Sequence, residues 1–208
     1  MEQNAILNAL SQVSSVRVRQ KRELAELIGF ESRNKYAVTT ETGQEIAFCA
    51  EQGKGFLATL ARYFVGHWRS FELHLFDGQR QPQYVAHNPF RFYFSRLELR
   101  NTRGELIGAL QRRFGILSKN FDMEDAQGQV LMSVSSPLWR PWTFEFEKNG
   151  QPVARIEKKW SGFLKEAFTD ADNLGVTFSS LSLGPRERLL LVASAIFVDL
   201  LYFERKAE

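Results

Sequence analysis

The 208 residues are 44% hydrophobic and 25% charged, a length and balance that support a sizeable buried core and exclude disorder over most of the chain. The net charge of +3 suits anionic lipid headgroups, but it is too modest for a strong nucleic-acid face, so no nucleic-acid partner is expected. The single cysteine, Cys49, excludes an intrachain disulfide and a Cys-based zinc cluster.

Residues 1–28 form a lead-in of strand or helix, and the first twenty lack the unbroken apolar stretch of a cleavable signal peptide, so export by that route is not expected. From residue 35 to 180 the chain repeats one unit: an alternating segment, a turn containing Gly, and a second alternating segment. Tyr36 to Thr40 and Glu45 to Ala50 flank Thr42-Gly43. Phe71 to Phe76 and Gln83 to Ala86 flank Asp77-Gly78, and Leu97 to Arg100 and Glu105 to Gln111 flank Arg103-Gly104. Phe121 to Glu124 and Val130 to Val134 flank Gln127-Gly128, and Thr143 to Glu147 and Val153 to Lys158 flank Asn149-Gly150. Each Gly can supply the positive φ such turns require. Phe163 to Phe168 and Gly175 to Ser179 add two further strands, which brings the expected count to about twelve by the period-two rule. Closure of so long a meander removes its unpaired edges.

Two segments break the strand rhythm. In Gly53 to Arg69, Phe56, Leu57, Leu60, Phe64 and Trp68 recur at helical spacing among Lys54, Arg62 and Arg69. This amphipathic helix either covers a barrel mouth or docks on a membrane. The second segment, Asn88 to Phe94, contributes Phe90, Phe92 and Phe94.

The last element, Arg186 to Arg205, is a helix apolar on every side except at Asp199, and such a helix must be buried in protein or lipid. Leu189 to Phe203 is shorter than the ~20 apolar residues of a bilayer span, so the helix is expected to fill the barrel. Asp199 then needs hydrogen bonds or a basic partner.

The segment Ala154 to Phe178 (ARIEKKWSGFLKEAFTDADNLGVTF) closely resembles the stretch that joins the last strands to the C-terminal helix in phospholipid scramblases. Phe197 to Glu204 (FVDLLYFE) resembles that family's helix, internal Asp included, and Gly29 to Tyr36 with Gly43 to Glu51 resembles its first hairpin. The resemblance covers nearly the whole chain. It implies a mainly β fold shared with tubby C-terminal domains and LURP-one-related proteins, a closed twelve-stranded barrel around a central apolar C-terminal helix, with residues 1–208 forming one domain. It also implies energy-independent movement of phospholipids between leaflets without bond chemistry, modulation by calcium, and residence at the cytoplasmic face of the plasma membrane beside a soluble cytoplasmic pool. The alternative is a tubby-like module that binds anionic headgroups or a macromolecular partner and never translocates lipid.

The family's calcium segment falls on Asp170 to Leu181. Asp170, Asp172 and Asn173 offer the hard oxygens a calcium ion needs, with Gly175 at the sharp turn. The closing acid is replaced by Leu181 and Leu174 has no side-chain oxygen; the other reading of this segment is a tight Asx turn. The family's Pro-rich tail and Cys-rich acylation segments have no counterpart here. In place of the latter stand Phe56, Leu57, Leu60, Phe64, Trp68, Phe90, Phe92 and Phe94, the expected membrane contacts. Arg96, Arg100, Arg103, Arg112, Arg113 and Lys119 form either an anionic-lipid face or a solvated exterior.

Overall fold

The computed structural model describes residues 4–21, 32–52, 70–89, 91, 93–159, 173–179 and 183–202. Helix α1 (Ala5–Ser11) leads into strands β1 (Ser15–Gln20), β2 (Ser32–Thr39), β3 (Glu45–Gln52), β4 (Phe71–Asp77), β5 (Pro82–Asn88) and β6 (Arg96–Asn101). Strands β7 (Leu106–Arg113), β8 (Ser118–Asp125), β9 (Val130–Pro137), β10 (Thr143–Lys148), β11 (Gln151–Lys159) and β12 (Asn173–Phe178) follow, and helix α2 (Pro185–Tyr202) comes last. The strands pair antiparallel in chain order, and β1 closes the barrel by pairing with both β2 and β12.

Ten strands, β2 to β11, are the five expected hairpins, and β12 is the expected strand at Gly175 with an earlier start. The remaining place is filled differently. It belongs to β1 within the lead-in, where Val16 and Val18 are buried while Arg17 faces solvent. The expected strand Phe163 to Phe168 lies outside the described residues.

Four turns use their Gly as expected, with φ of 88° at Gly43, 81° at Gly104, 81° at Gly128 and 72° at Gly150. The β4–β5 turn does not: its positive φ, 64°, falls on Arg80 rather than on Gly78. Asp77 makes this conformation possible by accepting hydrogen bonds from the Gln79 and Gln81 amides, both at 2.9 Å. The Arg80 guanidinium is then held by Glu45 at 2.6 Å and lies 4.4 Å from the Phe48 ring centroid.

Helix α2 is buried from Arg188 through Leu200 on every side. Its wall consists of the inward residues of the strands, among them Val18, Tyr36, Leu73, Leu99, Leu110, Met123, Phe146 and Ile156. The alternation seen in sequence is therefore an inside–outside alternation around a helical core. Helix and wall leave no room for a side chain at Gly108, where a Cβ would lie 2.7 Å from Leu190 Cδ1 and 2.6 Å from the Glu124 carbonyl oxygen. Because backbone cannot retreat as a side chain can, Gly108→Val is expected to cost about 1–3 kcal/mol through overpacking, read as a lower urea midpoint. Val at the exposed turn residue Thr42 is the control and should move the midpoint little.

Candidate functional site

An antiparallel barrel in chain order gathers alternate connections at opposite ends. One end carries the five Gly-containing turns, with Glu41, Asp77, Glu105 and Asp125 in or beside them. Helix α1 packs there, its Asn4 side chain capping the Ile6 and Leu7 amides at 3.1 and 3.3 Å. Helix α2 starts at this end, since Glu187 pairs with Lys148 of β10 at 3.1 Å.

At the other end lie the outgoing ends of β3, β5, β7, β9 and β11, and helix α2 finishes there. Two of its residues bring polar chemistry into the barrel mouth. Asp199, 2% exposed, accepts a hydrogen bond from the Tyr36 hydroxyl at 3.0 Å and faces Lys158 Nζ at 3.5 Å. One turn on, the Tyr202 ring stacks near Phe144 and meets Phe121 edge-on, and Lys119 Nζ lies 4.3 Å from its centroid with the Arg112 guanidinium at 6.0 Å. Burial pushes the Tyr202 phenol up, partly offset by the Arg112 charge. Cations here also complement the negative end of the helix dipole. Across the mouth, Gln20 donates to Asn34 at 3.0 Å and Asn34 donates to Glu51 at 2.7 Å.

The cationic cluster foreseen in the central hairpins divides between two environments. Arg96 and Arg113 converge on Glu124 at 2.6 and 2.9 Å, and Arg113 also binds Asp122 at 2.7 Å. Arg100 and Arg96 hold Glu98 at 2.9 and 3.3 Å, and Arg103 pairs with Glu105 at 3.5 Å. Burial raises the Glu98 carboxyl, but the two guanidinium groups outweigh it and hold it below the usual range. These arginines form an ion-paired barrel exterior; Arg112 and Lys119 instead attend the helix end.

Of the expected membrane contacts, Phe94 is exposed at this second end of the barrel, between β5 and β6. Phe56, Leu57, Leu60, Phe64, Trp68, Phe90 and Phe92 lie outside the described residues, as do Asp170 and Asp172. Asn173 opens β12, its backbone in register with Lys159 and Arg19. Among the described residues no group of three or more His, Cys, Asp or Glu could hold a metal ion, and none of the helices is long and apolar enough to cross a membrane.

Cys49 points into the core and is fully buried, and burial pushes its thiol well above the ordinary range. A maleimide should therefore leave native protein unlabelled and react within minutes in urea. Burial also raises the Tyr84 phenol. Groups whose folded pKa is raised stabilise the fold fully below their unfolded pKa, about 8.5 for a thiol and 10 for a phenol. That stability is lost as pH rises, so the urea midpoint is expected to fall steadily from pH 8 to 11.

The scramblase family model matches residues 1–205. Phospholipid scramblase 1 of Rattus norvegicus is 27% identical over 96% of this chain and 62% of its own length. Phospholipid scramblase 2 of Homo sapiens is 28% identical over 96% of this chain and 70% of its own. The chain thus spans a little under two thirds of the first of these relatives. A solved protein from Arabidopsis thaliana overlays at a TM-score of 0.47 and 13% identity, covering 90% of this chain and 89% of that one, a likeness too loose to support an inference. With a match over nearly its whole length, the chain belongs to the scramblase family.

Proposed function

We propose that this protein moves phospholipids between membrane leaflets without an energy source, as a scramblase-like protein that associates with the cytoplasmic face of the cell membrane and prefers anionic lipid. The observation that carries the reading is the family match over residues 1–205, joined to relatives named phospholipid scramblases. Calcium modulation belongs to the proposal on the sequence alone, through Asp170, Asp172 and Asn173, whose oxygens suit a hard cation. A second reading has its own support. Helix α2 is engaged in filling the barrel, which favours a module that binds headgroups without translocating lipid.

The experiment is leaflet exchange of a fluorescent phospholipid in liposomes reconstituted with purified protein, with and without calcium. Exchange above protein-free vesicles supports translocation, and loss of a calcium effect in Asp170→Ala/Asp172→Ala would assign the cation. Binding without exchange selects the second reading.

A further inference from the structure

The two short connections at the helix-exit end carry large apolar side chains that the barrel does not use. In 114–117 between β7 and β8, Phe114 is 69%, Ile116 77% and Leu117 68% exposed; in 138–142 between β9 and β10, Leu138 is 49% and Trp139 74% exposed. Both tips extend from neighbouring strand pairs and are tied together, since the Leu138 amide donates to the Leu117 carbonyl at 3.0 Å.

The tips are built rather than loose. Asn120 Nδ2 donates to the Phe114 carbonyl at 2.8 Å, and Lys119 Nζ donates to the Pro141 carbonyl at 3.0 Å. At Gly115 a Cβ would stand 2.4 Å from the Ser118 carbonyl oxygen, so the first tip closes only on glycine. Apolar groups presented on a fixed scaffold lose little conformational freedom when they are covered.

What covers them follows from the charge around them. Neither connection contains Asp or Glu, and Arg112, Lys119 and Arg140 lie in them or immediately beside them, while Arg113 is held by Asp122 and Glu124. The turns at the opposite end are mixed in charge, with Glu41, Asp77, Glu105 and Asp125 beside Arg80 and Arg103. Exposed Trp, Phe, Ile and Leu at the barrel rim with cations beside them match the acyl–headgroup boundary of an anionic bilayer, with apolar tips below the headgroups and guanidinium groups among the phosphates.

We propose that the paired 114–117 and 138–142 tips are a membrane-insertion site that docks the barrel, helix-exit end first, on an anionic lipid surface. This rests on the membrane association proposed above and places it on residues separate from the expected contacts in Gly53 to Arg69. It also orients the polar mouth around Asp199 and Lys158 toward the lipid.

The test is co-sedimentation of the full chain with phosphatidylcholine vesicles containing or lacking 30% phosphatidylserine, a composition chosen as roughly that of an anionic leaflet. Wild type should pellet with the anionic vesicles and be released by salt. Ile116→Ser/Trp139→Ser should weaken partitioning ten-fold or more at unchanged Tm, because both side chains are exposed, and Arg140→Gln should weaken it less. Brominated acyl chains should quench wild-type tryptophan emission by a fraction that Trp139→Phe removes. Equal partitioning of wild type and the double variant would overturn the insertion site while leaving membrane association intact. No binding by wild type would overturn both. A wild-type dimer that becomes a monomer in the double variant would assign the face to a second copy of the chain and overturn the lipid reading.

Discussion

Replacing Lys158 by Met is expected to cost about 3–5 kcal/mol of unfolding free energy, the usual result of leaving one member of a buried ion pair without its counterion. Lys158 and Asp199 have side chains 7% and 3% exposed, so water can do little for whichever charge remains. Asp199→Leu should be comparably costly, because it removes the carboxylate that faces the ammonium group and also the acceptor of the Tyr36 hydroxyl. The double variant Lys158→Met/Asp199→Leu should recover most of the loss, since replacing both charges with apolar groups of similar size removes the desolvation penalty together with the attraction. Urea denaturation with unchanged m-values is the measurement. Additive single losses, with no recovery in the double variant, would show that the two charges are not coupled across the barrel. Tyr36→Phe should cost less, roughly 1.5–3 kcal/mol for a hydrogen bond to a charged group. A large energy set against a small functional change would mark the triad as structural; the reverse would point to the polar mouth as a working surface.

The interior of this fold is legible in sequence because two periodicities carry it. Thr143 to Glu147 alternates strictly, and in the structure Phe144 and Phe146 are buried while Glu147 is exposed. The helix is legible because a segment apolar on all sides, too short for a bilayer, has few other places to go. Strand β1 was legible too, in the alternation Ser15-Val-Arg-Val-Arg-Gln20, but it has no Gly turn after it and so does not announce itself as half of a hairpin. Arg80 was not legible: local turn chemistry predicts the positive φ on Gly78, and only Asp77 and the Glu45 carboxylate across the sheet explain the observed choice. The partner of Asp199 could not be named either, because Lys158 meets it only once the barrel has closed. The exposed tips at Ile116 and Trp139 escaped for a different reason. Connections of four and five residues are too short to break the strand rhythm, and their signal is apolar bulk where a turn would ordinarily place Gly, Asn or Asp.

Arg188→Met should loosen the N-terminal helix as well as the core, and the two of its three hydrogen bonds that reach the lead-in account for about 3 kcal/mol of the cost, at about 1.5 kcal/mol each for a charged donor. Arg188 is 6% exposed and sits in the first turn of α2, where the helix dipole disfavours a cation. Its position is explained by what its guanidinium collects: the Leu183 carbonyl at 3.1 Å, the Leu10 carbonyl at 2.8 Å and the Val13 carbonyl at 2.7 Å, with the Phe178 ring 5.0 Å away. Leu10 and Val13 belong to the end of α1 and the residues that lead into β1, so one side chain ties the lead-in to the central helix. Lysine cannot reproduce a planar fork that serves three acceptors, and Arg188→Lys should recover less than half of the loss. Amide exchange separates the two roles. If the α1 amides exchange roughly 100-fold faster in Arg188→Met, in line with the free energy lost, the arginine is the tie that closes this end of the barrel. Global destabilisation with α1 exchange changed only in proportion to it would instead make α1 part of the same cooperative unit, held by Ile6 and Leu10 against the core as much as by the guanidinium.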